Sequence, residues 1–334
     1  MIFNDLSKKE RFELYQQVHD TSGLSKIIIE KDWWVTAVLR ALFSMPYSTN
    51  LSFKGGTSLS KCWGLIERFS EDVDIAVNRE FLGFVGTLSK TQISDRLRRF
   101  ACLFVREKLQ FDLVKQLENN ELNKNDFTVK VNITPITTTD PEIIEIEYDS
   151  LFAEDSYIKR KVIVEVSGRS MSEPLQSVSL QSMIDEEFPN EEFTEKPFEV
   201  QAVVPQRTFI EKVCLLHEEF AKPHELMRTE RMSRHLYDLV QIMDTPVAEK
   251  ALSNKYLYNT ITEHRRVFVG LKGFDYSTLA PKTINIVPPD HIINFWKTDY
   301  ETMQHTMIYG ESLPFNKLIE KIKKLNERIN QIDW

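Results

Sequence analysis

The hydrophobic pattern of the chain changes from helical to extended and then back to helical. Apolar residues recur at helical spacing in three early segments, over about residues 8–19, 25–44 and 91–118. The third segment is the longest, and Leu97 and Phe104 lie on its apolar face. The pattern therefore predicts three helices in the first part of the chain, and the last of them is strongly amphipathic.

Three runs rich in β-branched residues follow, separated by Thr, Pro and Asp. They are FTVKVNIT (Phe127–Thr134), EIIEIEY (Glu142–Tyr148) and KVIVEVS (Lys161–Ser167). Such runs, bounded by turn-forming residues, are typical of strands. From Gln206 to the C-terminus the pattern is again helical. We therefore expect a mixed α/β (α+β) catalytic core that is followed by a mostly helical part.

The segment LSFKGGTSLSKCWGLIERFSEDVDIAV (Leu51–Val77) carries the strongest chemical signal. Its pattern predicts a strand, a turn at Gly55 and Gly56, a short helix and a second strand with Asp72 and Asp74. Residues two apart on a strand point to the same face, so the two carboxylates can converge. Hard carboxylate oxygens suit Mg²⁺, and metal-bound carboxylate pairs favour phosphoryl or nucleotidyl transfer.

The glycine turn is the natural neighbour of such a metal site. We expect Thr57 and Ser58 to cap the short helix, whose first N–H groups can bind phosphate. Taken separately, an Asp-x-Asp is usually a solvated face and a Gly-Gly pair is usually a turn. Their order along one segment is what favours a nucleotide site.

The pattern G-G-T-S-L-x-K followed by R-F-S-x-D-x-D resembles motif I of the AbiEii/AbiGii nucleotidyltransferase toxins. These are relatives of the MenT toxins and of the DNA polymerase β superfamily. The matching residues are Gly55, Gly56, Thr57, Ser58, Leu59, Lys61, Arg68, Phe69, Ser70, Asp72 and Asp74.

Three further segments resemble the same family in the same order. Ile27–Phe43 is similar to the helix that precedes motif I, and Phe209–His217 to the later E-K helix. Arg231–Leu239 is similar to the R-D-x-Y-D-L helix, with His235 where many members have Asp, while the second Asp of the pattern is present as Asp238. The resemblance extends over roughly residues 25 to 245.

The resemblance implies a polymerase-β-like nucleotidyltransferase core with a mixed sheet. We expect residues 1–200 to form this core, together with its N-terminal helices. Residues 201–334 are then a mainly helical domain that completes the active site. In polymerase-β-like sites a third carboxylate comes from a later strand. Glu165 is our prediction for it, with Glu145 and Glu147 as rivals.

The resemblance also implies roles for individual residues. Asp72, Asp74 and Glu165 are expected to hold Mg²⁺ or Mn²⁺. The expected contacts to the NTP phosphates are Gly55, Gly56, Thr57, Ser58, Lys61 and Ser70. Lys212 is expected to neutralise charge on the transferred phosphates, and Asp238 to complete the catalytic set.

Each of these roles has a structural alternative. Glu165 can be a solvated carboxylate on an edge strand. Lys61 can be a plain surface lysine, and Lys212 can form a salt bridge to a helix neighbour. Without the resemblance, Asp238 would be interpreted as part of a packed helix end.

Charge argues against a general nucleic-acid binder, because the net charge is −8. Local basic clusters remain compatible with an RNA contact, although each is more typical of a solvated helix face. They comprise Arg96, Arg98, Arg99, Arg106 and Lys108; then Arg228, Arg231 and Arg234; then Lys317, Lys321, Lys323 and Lys324. The acidic stretch Asp185–Glu199, which contains Pro189 and Pro197, predicts an exposed loop.

The sequence also predicts the compartment. No apolar run has the length of a membrane span, and the N-terminus lacks a signal-peptide core and opens with a capping box at Ser7 and Glu10. The three cysteines are far apart in apolar patterns, which indicates buried free thiols. We therefore expect a cytoplasmic protein without a membrane partner.

The resemblance implies a toxin of a toxin–antitoxin or phage abortive-infection system that moves NMP from an NTP to an acceptor. The resemblance implies a tRNA 3′ end as acceptor and a cognate antitoxin as partner. Two alternatives stay open. One is a nucleotide-binding regulatory or defence component that performs no transfer, and the other is an enzyme that nucleotidylates protein side chains.

Overall fold

The computed structural model describes residues 2–70, 72–132, 140–153 and 159–334. It separates into two compact units. The first, here called the sheet unit, comprises the chain up to Cys62 together with Ser70–Val203. The second, the helical unit, comprises Trp63–Phe69 and Val204–Trp334.

The sheet unit is built on a mixed sheet, as predicted. In the described part of the chain it has seven strands in the order β3-β4-β5-β2-β1-β7-β6. The strands are β1 Leu51–Lys54, β2 Asp72–Val77, β3 Phe127–Val131, β4 Glu142–Tyr148, β5 Lys161–Ser167, β6 Leu175–Leu180 and β7 Phe198–Val203. The pairs β2–β5 and β1–β7 are parallel and the other neighbours are antiparallel.

The helices of this unit agree closely with the hydrophobic pattern. They are α1 Lys8–Ser22, α2 Lys26–Phe43, α3 Gly55–Lys61, α4 Arg98–Phe104, α5 Gln110–Asn119 and α6 Met183–Glu187. Turns of π-helix at 92–97 and 105–109 join α4 and α5 into one helical stretch, which is the predicted long helix. The predicted capping box begins α1, since Ser7 accepts from the Glu10 N–H and the Glu10 carboxylate accepts from the Ser7 N–H.

One face of the sheet forms the core. Val73, Ile75 and Val164 are fully buried on that face, and α2, whose Trp33 and Trp34 are also buried, packs against β5 and β7. The strand residues that alternate with these three point the other way. Because β-strands alternate, this leaves the carboxylates of β2 on the opposite, partly exposed face.

The prediction of an exposed loop over Asp185–Glu199 is only partly right. Residues 188–197 lie outside helix and strand and most of them are exposed, but Asp185 is buried within α6 and Phe193 is buried as well. Its Asp185 carboxylate accepts hydrogen bonds from the Ser182 hydroxyl and the Glu195 N–H, which offsets the cost of burial. The end of the segment forms the first residues of β7.

The start of α3 also differs from the prediction. The helix begins at Gly55 with Lys54 as its N-cap residue, so Thr57 and Ser58 lie inside the helix and do not cap it. Similarly, β5 lies between β4 and β2 in the middle of the sheet. The edge-strand alternative for Glu165 is therefore wrong.

The helical unit consists mainly of helices, as predicted. They are α7 Pro205–Phe220, α8 Ser233–Ile242, α9 Pro246–Ser253, α10 Lys255–His264, α11 Ile293–Thr306 and α12 Phe315–Asn330. The described residues contain no helix long and apolar enough to cross a membrane.

A short early segment, Trp63–Phe69, also belongs to the helical unit, which the sequence pattern does not indicate. The Phe69 N–H donates to the Met307 carbonyl at 2.7 Å, and the Tyr309 N–H donates to the Glu67 carbonyl at 3.0 Å. The chain thus leaves the sheet unit after α3 and returns to it just before β2.

Candidate active site

The two aspartates of β2 share the open face of the sheet. Asp72 and Asp74 are partly exposed, whereas Val73 between them is fully buried. Parallel pairing places Asp74 directly opposite Glu165 on β5. Antiparallel pairing places Lys54 of β1 on its other side, with the lysine Nζ 3.8 Å from Asp74 Oδ1. Lys54, Asp74 and Glu165 therefore form a row across three adjacent strands.

The rival carboxylates of β4 are engaged elsewhere. Glu145 pairs with Lys161 at 2.7 Å, and Glu147 pairs with Lys130 at 2.7 Å. Both lie one strand farther from Asp74 than Glu165 does. Register therefore favours Glu165 as the third carboxylate.

The donor set fits a hard divalent cation without forming a closed cage. Within residues 2–70, 72–132, 140–153 and 159–334, no three His, Cys, Asp or Glu side chains surround one point as metal ligands. Mg²⁺ is typically bound by one or two carboxylates, and water and phosphate oxygens complete its shell. Asp72 and Asp74 supply that number on one accessible face.

Gly55 is required by its contact with Asp74. Its φ is +81°, and a Cβ built there would overlap the Asp74 carboxylate, lying 2.7 Å from its Cγ. A residue without a side chain is therefore needed both for the backbone conformation and for the close approach. Gly55 and Gly56 are both partly exposed, which leaves this turn open to a ligand.

Thr57 connects α3 to the acidic strand. Its hydroxyl donates to the carbonyls of Ser70 and Asp72, and the side chain is buried. Ser58 is fully buried, whereas Ser70 retains a small exposed area. In this arrangement Thr57 positions the segment that carries Ser70 and Asp72.

Lys61 is held away from solvent by Asp32 of α2. The two form a mostly buried ion pair, and Asp32 also accepts a hydrogen bond from the Met183 N–H at 2.9 Å. Contact between Lys61 and a triphosphate would require the lysine to leave this pair.

In the helical unit, Asp238 of α8 is the centre of a buried ionic group. Arg68 donates to both of its oxygens, from Nε at 2.6 Å and from Nη2 at 2.8 Å, and Lys212 Nζ of α7 lies 2.9 Å from Oδ2. Burial disfavours ionisation, but the charges of Arg68 and Lys212 outweigh it and hold the pKa of Asp238 well below its ordinary value. Burial lowers the pKa of Lys212, and the Asp238 charge partly offsets this.

His235, one turn before Asp238, contacts the same lysine. Its Nδ1 lies 3.3 Å from Lys212 Nζ. Burial, followed by the positive charges of Lys212 and Arg234, lowers the pKa of His235 well below its ordinary value. The imidazole is therefore neutral at physiological pH.

The structure thus divides the predicted residues into two groups. The sheet unit holds the glycine turn with Thr57, Ser58, Lys61, Ser70, Asp72, Asp74 and Glu165. The helical unit holds Lys212 and Asp238. Sequence reasoning did not assign Lys54, whose place directly before the Gly-Gly turn was a usable signal. It also gave no role to Arg68, although the residue is part of the R-F-S-x-D-x-D pattern.

Comparison with known proteins identifies the family of the chain. The sequence model of the family described as "Nucleotidyl transferase AbiEii toxin, Type IV TA system" matches residues 37–323, which is most of the chain. The chain belongs to the AbiEii nucleotidyltransferase toxin family. This confirms the resemblance inferred from the four sequence segments, and it makes the chain a nucleotidyltransferase toxin by family.

A solved structure supports the same fold for this AbiEii family member. MenT4, a nucleotidyltransferase toxin from Mycobacterium tuberculosis H37Rv, aligns with a TM-score of 0.52 at 14% identity, covering 96% of this chain and 90% of that one. At this identity the likeness concerns the fold, and it confirms the predicted fold class. Among curated protein sequences there is no significant match.

Proposed function

We propose that this toxin transfers NMP from an NTP to the 3′ end of tRNA, using Mg²⁺ or Mn²⁺ held by Asp72 and Asp74, with Glu165 beside them as the third carboxylate. The observation that carries the proposal is the row of carboxylates on the open sheet face. Asp74 and Glu165 are paired in register, and Gly55 closely approaches Asp74. An NTP phosphate placed at the glycine turn is then next to the carboxylates.

The bound cation would neutralise the triphosphate and lower the pKa of the attacking hydroxyl. The chain's own contribution in the sheet unit is binding and orientation. The accessible turn at Gly55 and Gly56 and the Ser70 hydroxyl are proposed to contact phosphate oxygens. Thr57 and Ser58 act from within α3, where Thr57 fixes the backbone of Ser70 and Asp72.

Two further residues of the predicted set are proposed to act through charge. Lys212 would stabilise negative charge on the transferred phosphates, and Asp238 would hold that lysine in place. Asp238 is fully buried, so it acts as a positioning residue. Lys61 would contribute only after leaving Asp32.

The choice of RNA as acceptor is supported by local charge. Arg231 is exposed. Arg234 of α8 is partly exposed, and it lies near His235 of the same helix and Lys212 of α7. Arg228, in the same basic cluster, is exposed and its guanidinium also binds Glu219 at 2.7 Å. Cytoplasmic location and a cognate antitoxin complete the proposal, since NTPs and tRNA are found in the cytoplasm and the family description is that of a type IV system.

The test uses purified protein, each α-³²P-labelled NTP in turn, Mg²⁺ and total bacterial RNA, resolved on a denaturing gel. We expect label at tRNA size with one NTP, and its loss with EDTA and in Asp72→Asn. Asp95→Asn, an exposed helix carboxylate that pairs with Arg99, is the control and should keep full activity. Label on a protein band would mean that the acceptor is a protein and not tRNA. NTP binding without any transfer would favour a regulatory component.

A further inference from the structure

The contact between Lys212 and His235 determines which nitrogen of the imidazole carries the proton. Lys212 lies 2.9 Å from the Asp238 carboxylate and is therefore held as an ammonium, which can only donate hydrogen bonds. His235 Nδ1, at 3.3 Å from Lys212 Nζ, must then accept. A neutral imidazole whose Nδ1 accepts carries its proton on Nε2. His235 is therefore a hydrogen-bond donor on the side away from Lys212.

The surroundings of this donor are predominantly positive. The charged groups that act most strongly on the imidazole are Lys212 of α7, Arg234 and Asp238 of α8, and Arg68 of the Trp63–Phe69 segment. Three of these four groups are cations. A second proton on His235 would meet this positive field and break the contact with Lys212, so the ring stays neutral.

Exposure differs among the members of this group. Asp238 is fully buried and Lys212 is mostly buried, whereas His235 and Arg234 are partly exposed. The imidazole is therefore partly exposed, while the Asp238 carboxylate is covered. A neutral donor at a partly exposed point, in a predominantly positive field, favours an anion.

We infer that His235 and Lys212 form a polyphosphate-binding site within the helical unit, in which His235 donates from Nε2 to a phosphate oxygen. The chemical class of the ligand is a pyrophosphate group, either free or as part of an NTP. Its link to catalysis rests on the proposed function, but the binding of the anion does not. In the sequence, His235 is where this chain departs from the R-D-x-Y-D-L pattern, so the donor is a feature of this chain.

The first test needs no ligand. Long-range ¹H–¹⁵N spectra of ¹⁵N-histidine-labelled protein distinguish the two neutral tautomers from the imidazolium. The chain has 7 histidines, and the signal that disappears in His235→Gln identifies His235. We expect the Nε2–H tautomer to persist from pH 7.5 down to at least pH 6, below the ordinary histidine pKa of about 6.5. An Nδ1–H tautomer, or an imidazolium at pH 6.5, would overturn the inference.

The second test separates the two nitrogens by substitution. The Asn side chain in His235→Asn reaches the position of Nδ1 and can still accept from Lys212, but it lacks a donor at Nε2. The Gln side chain in His235→Gln places an amide N–H near Nε2. Inorganic pyrophosphate is titrated into the full-length protein and both variants, with sulfate at equal ionic strength as control.

We expect His235→Asn to weaken pyrophosphate binding about tenfold, since a hydrogen bond to a charged group is lost. His235→Gln should stay within about threefold of the wild type. Equal urea midpoints would show that both variants are folded. The opposite order of affinities would mean that His235 only accepts a hydrogen bond from Lys212 and does not bind the anion. Sulfate binding as tight as pyrophosphate binding would exclude a site specific for polyphosphate. If pyrophosphate binds as expected and no NTP labels RNA or protein, the proposed transfer fails while this anion site stands.

Discussion

Arg68 and Asp238 form a buried, two-pronged ion pair across 170 residues of sequence, with N–O distances of 2.6 and 2.8 Å. Their side chains are 2% and 0% exposed. Asp72 follows Arg68 after only three intervening residues, so the pair fixes the chain to α8 shortly before the acidic strand begins. The R-F-S-x-D-x-D pattern and the later Asp238 are thus physically connected through its first residue.

Removing one member of this pair should be costly. We expect Arg68→Ala to lower the free energy of unfolding by about 3–5 kcal/mol. The substitution removes one of the two cations that pair with the buried Asp238 carboxylate and leaves Lys212. Urea denaturation followed by circular dichroism measures this change. Arg266→Ala, which breaks an exposed pair with Glu263, is the control and should change stability by less than about 0.5 kcal/mol. A cost below about 1 kcal/mol for Arg68→Ala would show that the pair is dispensable.

A Cβ at Gly55 should displace Asp74. We expect Gly55→Ala to reduce nucleotide transfer at least about a hundredfold, since a shift of about 1 Å in a reacting group has that effect. The matched control is Gly64→Ala, which also has positive φ, at +57°, but has nothing within 4 Å of the added atom. Both variants carry backbone strain of order 1 kcal/mol, so only the contact with Asp74 separates them. Equal activities would contradict the role of the close approach.

Thr57 offers a test of positioning from inside α3. Thr57→Val keeps the side-chain shape but removes the hydroxyl that donates to the Ser70 and Asp72 carbonyls. We expect kcat for transfer to fall about tenfold or more, and the free energy of unfolding to fall by about 1 kcal/mol. Thr57→Ser restores the hydroxyl and should recover most of the activity. If Val and Ser variants behave alike, the hydroxyl has no positioning role.

Stability should decrease as the pH falls below the ordinary histidine pKa. His235 is kept neutral as described above, and His217 has a pKa lowered by burial, while its Nδ1 accepts from the Asn285 N–H at 2.9 Å. In the unfolded chain both take up a proton below about pH 6.5, whereas in the folded protein they do so only at lower pH. The unfolded state is then favoured, by up to about 1.4 kcal/mol per pH unit for each histidine.

Urea denaturation at pH 7.5 and pH 5.5 measures this dependence. Comparison with His217→Gln and His235→Gln isolates each histidine from carboxylates that titrate in the same range. Each variant should lose less stability between the two pH values than the wild type does. A slope unchanged in both variants would show that neither histidine is kept neutral by the fold.

Much of the fold was predictable because local patterns carry it. Period-two alternation in EIIEIEY and KVIVEVS corresponds to β4 and β5 within the same bounds, Glu142–Tyr148 and Lys161–Ser167. Of the two strands that were not predicted, β6 is an edge strand with mostly exposed or half-buried side chains, whereas β7 is as apolar as β4 and follows an acidic segment. The burial of Asp185 in that acidic segment was also not predictable, because composition cannot indicate the hydrogen bonds that stabilise it.

The sequence by itself determined the helices, the main strands, the shared face of Asp72 and Asp74 and the family. These follow from side-chain periodicity and from residues close together in the chain. Only the tertiary structure decided that Glu165 stands beside Asp74, that Lys61 pairs with Asp32, and that Asp238 joins Arg68 and Lys212. Strand register and buried ion pairs join residues far apart in sequence. The ion-pair partner of each charged residue is therefore determined by the packing of the whole chain, and a local sequence pattern cannot predict it.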